Sequence, residues 1–326
     1  MMDSKIIFIE RKFPSANMIL IKDKRSILID SGFKSDVTET EKFLIDNHVS
    51  PKDLNSIINT HYYSDHVGGN HYFQNKYKTH VAAHSLDAEL INKANDEACS
   101  AEWLDQPVDP YHVDTYLNDG DVIETGTRRF EVIHTPGHTL GHISLYCVEE
   151  KTLICGDLFH ANDVGWFNIF REGSVSLSLA LHSLQKLSEM DINLSYSGHG
   201  NPISDPKLSI NNAMVRIKKW LDSPEKYSWH ACKRIFSFTL IMRDGLDEEE
   251  IDSYLIRCGW FNDMAIHSFH TSPKEFVSTL IDEMLRSGAA SWQGKRLVAS
   301  AEYNSPNMNV YEEHSKPKNW RKVHAD

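Results

Sequence analysis

Thr60-His61-Tyr62-Tyr63-Ser64-Asp65-His66-Val67-Gly68-Gly69 is the stretch on which the reading of this chain turns. It follows at once on a short apolar run, Ser56–Asn59, that reads as a strand, and it closes on paired glycines that allow a tight turn. Three other clusters repeat the arrangement. Thr135-Pro136-Gly137-His138-Thr139-Leu140-Gly141-His142 follows the run Arg129–His134, Gly156-Asp157-Leu158-Phe159 follows Thr152–Cys155, and Gly198-His199-Gly200 ends the run Leu194–Ser197. A carboxylate, Asp30, stands at one more strand end in Leu28-Ile29-Asp30-Ser31-Gly32. Imidazole and carboxylate are the donors that suit a borderline cation such as Zn²⁺. One histidine at a strand end is ordinarily a hydrogen-bonded loop residue. Four such clusters, each behind an apolar strand, point to a metal site.

Around these clusters the chain alternates strands and helices in two halves. Strands are expected at Lys5–Glu10, Ala16–Lys22, Ser26–Asp30, near Lys78–Ala82, and at Asp121–Glu124 and Ile143–Val148. Helices are expected around Phe43–Ile45, from Ser85 to about Ala94, and from Ser174 to about Glu189. Glu97–Tyr116 has no period and reads as a long loop or cap. This is an α/β pattern with helices outside packed sheets. After Pro206 the character changes to helical: Leu208–Leu221, Glu248–Cys258, and a helix opened by the capping box Ser272-Pro273-Lys274-Glu275 and ending near Arg286. A short hairpin over Ser291–Ala299 follows, so the region resembles a winged-helix module. The expected domains are 1–205, 206–303, and a loosely held tail, 304–326.

The 326 residues carry 34 basic and 46 acidic side chains, a formal net charge of −12, with 18 histidines and 5 cysteines. All of the net negative charge lies in residues 1–200, and residues 201–326 are neutral. A protein that tracks a phosphate backbone normally shows a basic stripe, so nucleic acid is a disfavoured partner. No apolar run approaches the roughly 20 residues of a membrane span, and the opening MMDSKIIFIERKF has no apolar core of a secretory signal. An odd number of cysteines without a C-x-x-C pair fits reduced thiols, and a cytoplasmic location is expected.

Residues 5–205 resemble the metallo-β-lactamase superfamily, on the strength of Leu28–Gly32, the first histidine motif, Thr135–His138, Gly156-Asp157 and Gly198-His199. The resemblance implies a four-layer αβ/βα sandwich with the metal site at the edge between two sheets. It also implies a ligand set: His61, Asp65, His66, His138, Asp157 and His199. The family's first motif reads His-x-His-x-Asp-His, and here Tyr63 stands where the second histidine belongs. One metal position keeps Asp65, His66, His199 and a bridging Asp157; the other keeps His61, His138 and the bridge. A phenol with an ordinary pKa near ~10 ligates only where a metal stabilises the phenolate. Three outcomes are open: one ion in the complete position, two ions with a weakened second position, or an iron-containing or metal-free relic. Zinc is the expected ion, with iron or manganese as alternatives.

The expected activity is metal-assisted hydrolysis of a small-molecule ester, lactone or thioester by metal-activated water. By the same resemblance Asp65 handles the proton of the leaving group. Tyr63 is a candidate donor to the developing oxyanion or a mere space-filler. The alternatives are a non-catalytic metal- or ligand-binding protein on the same scaffold and, less favoured, a nuclease. The expected partner is a small-molecule substrate, with no membrane association and a homodimer as an option.

Overall fold

The computed structural model describes residues 4–306 and 314–323. Two sheets face each other. The first has six strands in sequential order: β1 Lys5–Ile9, β2 Met18–Lys22, β3 Ile27–Ile29, β4 Ser56–Ile58, β5 His80–His84 and β6 Thr115–Leu117. The first three pair antiparallel, and β3 to β6 run parallel. The second sheet consists of β7 Val122–Glu124, β8 Arg129–His134, β9 Ile143–Cys147, β10 Thr152–Ile154 and β11 Leu194–Tyr196, antiparallel except for the β10–β11 pair.

The layering follows from the period of two in the strands. Ile19, Ile21, Ile27, Ile29 and Ile58 point inward and meet Phe130, Val132, Ile143 and Leu145 of the opposite sheet. Their neighbours Met18, Leu20, Leu28 and Ile57 point outward and pack on Leu44 of the Val37–Asp46 helix and Phe73 of the Asn70–Tyr77 helix. On the far side Ile133 and Leu153 meet Ala180, Leu184 and Leu187 of the Ser176–Ser188 helix. The result is helix, sheet, sheet, helix, the four-layer sandwich implied by the resemblance.

The C-terminal region begins with the Pro206–Asp222 helix, which packs on the Ser176–Ser188 helix. The Pro224–Met242 helix, β12 Leu246–Asp247, the helices Glu248–Arg257 and Pro273–Arg286, and the hairpin β13 Ala290–Gln293 with β14 Arg296–Ala299 then follow. Strand order β12-β14-β13 beside these helices is a winged-helix arrangement. The Pro224–Met242 helix has no counterpart in the sequence reading.

Two expectations are corrected. Glu97–Tyr116 is not a plain loop: it contains a turn at Ala98–Ser100, a short helix at Ala101–Leu104 and the start of β6. The tail is partly anchored. Trp320, in the Pro317–Val323 helix, is buried and its indole N–H donates to the Val108 carbonyl at 2.9 Å. The rest of the expected loose tail, 307–313 and 324–326, lies outside the described residues.

Candidate metal centre and its cavity

The parallel strands β3, β4, β10 and β11 all deliver their carboxyl ends to one edge of the sandwich, where clefts in α/β sheets form. Asp30 follows β3, His61 follows β4, Asp157 follows β10 and His199 follows β11. His138 comes from the loop after β8, and Asp65 and His66 from the turn of helix Ser64–Val67. Cross-links fix these loops against one another. Ile143 N–H donates to the Thr60 carbonyl at 2.8 Å, Ala16 N–H to Asp65 and Asn17 N–H to Gly198.

Three of the four imidazoles, those of His61, His66 and His138, are oriented by their outer nitrogens. His66 Nδ1–H donates to Asp30 Oδ2 at 2.8 Å, and His138 Nδ1–H to the Trp166 carbonyl at 2.5 Å. Thr60 Oγ1 accepts from His61 Nδ1 at 3.1 Å and passes its own proton to Asp30 Oδ2 at 2.8 Å. Asp30 is held in the left-handed backbone region (φ 59°), a strained placement for a non-glycine residue that positions it for this task. His142 is not a ligand but a support: its Nε2 accepts from the Asp157 N–H at 3.2 Å. Gly198 is required by close approach, because a Cβ there would lie 2.1 Å from Asp157 Oδ1 and 2.6 Å from His66 Cε1.

With the outer nitrogens occupied, the inner ones converge. His61, His66 and Asp157 place donor atoms within 4.8 Å of one another, and so do Asp65, His66 and His199. His61 Nε2 and His138 Nε2 stand 3.1 Å apart, and His199 Nε2 lies 3.2 Å from Asp65 Oδ2 and 3.3 Å from Asp157 Oδ2. His66 Nε2 and Asp157 Oδ1 are enclosed without a hydrogen-bond partner. Burial and the neighbouring imidazoles hold His61 well below its ordinary pKa. Against the opposing effect of burial, Asp157 is pushed well below its range by His199 and His66, while Asp65, Asp30 and Asp157 raise His66 well above its own. Inner imidazole nitrogens facing one another and two carboxylates, with orphaned atoms among them, fit a divalent cation held by nitrogen and oxygen.

The six expected ligands are therefore brought together. Tyr63 is not one of them in the way the sequence suggested. Its ring stacks on Trp166 (5.3 Å, 13° between planes) and meets His138 edge-on at 4.9 Å. Its hydroxyl is enclosed and meets no well-aligned partner. Burial, then the charge of Glu172 and the neighbouring Tyr227, push its pKa well above the ordinary value. The ring is part of an aromatic wall with Trp166, and the enclosed hydroxyl lends no geometric support to phenolate ligation or to an oxyanion-donor role.

Asp65, His138, Asp157 and His199 of the cluster line a cavity of about 510 Å³. The sequence reading did not identify its roof, one face of the Pro224–Met242 helix presenting His230, Lys233, Arg234, Ser237, Phe238 and Ile241 at helical spacing. Phe13, whose ring stacks on His199 at 4.8 Å, and His160 also line it. No motif marks these positions, so sequence alone offered no signal for them.

Among the described residues no helix is long and apolar enough to cross a membrane. Residues 11–199 match the family profile described as the metallo-beta-lactamase superfamily. The chain is 28% identical over 187 residues to a probable metallo-hydrolase of Methanocaldococcus jannaschii, covering 57% of this chain and 88% of that protein. It is 28% identical over 206 residues to a hydroxyacylglutathione hydrolase of Pelagibacter ubique, covering 61% and 75%. A metallo-beta-lactamase family protein from Thermus thermophilus superposes with a TM-score of 0.58 at 19% identity, over 90% of this chain and 98% of that one. A class B3 di-zinc metallo-beta-lactamase from an Alaskan soil metagenome superposes at 0.55 and 15% identity, over 68% and 92%. A profile match across more than half of the chain, on a fold and donor cluster of this kind, settles its kinship: the chain belongs to the metallo-β-lactamase superfamily of metallo-hydrolases.

Proposed function

We propose that the protein hydrolyses a small-molecule ester, lactone or thioester with one tightly held zinc ion. The observation that carries this reading is the convergence of four imidazoles and two carboxylates beside a cavity that Asp65, His138, Asp157 and His199 line together with Phe13, Leu104, Trp166 and Phe238. Asp65, His66, Asp157 and His199 form the complete donor set, while His61 and His138 lack a third imidazole. When bound, the cation supplies a Lewis acid and lowers the pKa of water toward ~7.

The chain's own groups do the rest. Phe13, Leu104, Trp166 and Phe238 shape the cavity and exclude water around an apolar substrate portion. Asp65 faces the cavity with Oδ2 3.2 Å from His199 Nε2, where it can hold and return a proton at the leaving group. Relatives named hydroxyacylglutathione hydrolase support an acyl substrate over a phosphodiester. So does the roof, whose cations are already engaged: Lys233 pairs with Glu283 at 3.1 Å, and Arg234 pairs with Asp163. Free, buried cysteines favour a reducing, cytoplasmic setting.

The test is turnover of p-nitrophenyl esters, lactones and acyl thioesters by the zinc-loaded protein, with and without Asp65→Ala. Hydrolysis of at least one class, reduced on the order of 10³-fold or more by the substitution, is expected. Stoichiometric zinc with no turnover on any class would favour the non-catalytic binding protein instead.

A further inference from the structure

Gln106 is a polar side chain in the cavity wall outside the donor cluster. It is 5% exposed and lines the same cavity as Asp65, His138, Asp157 and His199. Its Oε1 accepts from Ser64 Oγ at 2.6 Å, and Ser64 lies in the histidine motif between Tyr63 and Asp65. That bond fixes which end of the amide turns away from the motif. The Nε2 group has no hydrogen bond among the described residues, and the side chain borders the cavity. A buried amide that borders a cavity and is anchored through its oxygen keeps its N–H groups free to donate to a ligand there.

The segment that carries Gln106 is held unusually firmly. Cys99, Ser100 and Asp105 are all in the left-handed backbone region, at φ 58°, 47° and 56°. Three such non-glycine residues within seven positions persist only where the surroundings enforce them. Here the C-terminal region and tail hold the Asp105 end of the segment. Asp105 accepts from Arg243 at 2.6 Å, from Tyr254 at 3.0 Å and from Lys316, and burial of its carboxyl is outweighed by these partners, which lower its pKa. Trp103 Nε1–H donates to Asp263 at 2.7 Å. The backbone N–H of Gln106 itself donates to the Ala101 carbonyl at 2.9 Å.

We propose that Gln106 Nε2 donates a hydrogen bond to the substrate's acyl oxygen, strengthening as that oxygen gains negative charge, and that the C-terminal region serves catalysis by clamping the segment that presents it. This assignment rests on the hydrolase reading. A fixed neutral donor aimed at developing charge lowers the barrier without having to reorganise. It supplies from a loop what the sequence led one to expect of Tyr63.

The test pairs kinetics with a binding readout. In the zinc-loaded enzyme, Gln106→Leu and Gln106→Met are expected to lower kcat on the order of 10²-fold with KM within about twofold, because the bond matters most in the transition state. Phenylphosphonate, a stable tetrahedral anion, is titrated into ¹⁵N-labelled zinc-loaded protein, with the Gln106 amide signal identified by its loss in both variants. A downfield shift of that signal on binding supports the assignment. Unchanged kcat in both variants, or an unshifted amide in a protein that binds phosphonate, overturns the role of Gln106 and leaves the hydrolase reading standing. Wild-type protein that neither binds phosphonate nor cleaves any acyl substrate overturns both.

Discussion

On one side of the metal cluster stand Asp65, His66, Asp157 and His199; on the other stand His61, His138 and Tyr63. The two sides are tied by a shared support, since Asp30 serves His66 directly and His61 through Thr60. On the second side a phenol stands where the family motif has an imidazole, and it stacks on Trp166 and buries its hydroxyl. An imidazole in the motif can thus give way to a phenol while the surrounding donors keep their places. The vacated direction is filled by aromatic packing, and the supporting hydrogen bonds remain.

If the first side is the working one, disturbing its support has the largest effect. Asp30→Asn removes the charge that orients His66 and is expected to weaken zinc affinity roughly 10- to 100-fold, with the fold retained. Competition with a chromogenic chelator measures this, and an unchanged affinity would break the comparison. Disturbing the second side is expected to matter far less. Tyr63→Phe deletes a hydroxyl that has no well-aligned partner, so kcat and zinc content stay within about twofold of wild type. A tenfold or greater fall in kcat would return Tyr63 to the chemistry.

Much of this was legible in the sequence because it depends on local pattern. Alternation of Ile19 and Ile21 with Met18 and Leu20 encodes which face of β2 meets the other sheet. Histidines flanked by glycine behind apolar runs encode the ligands, since tight turns at strand ends need both. The roof was not legible. The Pro224–Met242 helix buries Ser228, Cys232 and Thr239 as well as Ile235 and Phe236, because it packs between the sandwich and the winged-helix region on more than one face. Its apolar residues therefore form no single stripe. Gln106 and Trp320 were hidden for another reason. Each acquires its role from a partner far away in sequence, Ser64 for the first and Val108 for the second. Tyr63 shows the opposite limit, since its place in the motif was plain but the packing of its ring depended on Trp166, a residue far away in sequence.

The central claim is that the complete side of the cluster holds one ion and the phenol-bearing side holds none tightly. Elemental analysis of protein purified without added metal and dialysed to constant content tests it directly. The account expects about one equivalent of zinc, as four nitrogen and oxygen ligands suffice for one closed or nearly closed site. A content near two equivalents, or near zero, would contradict it.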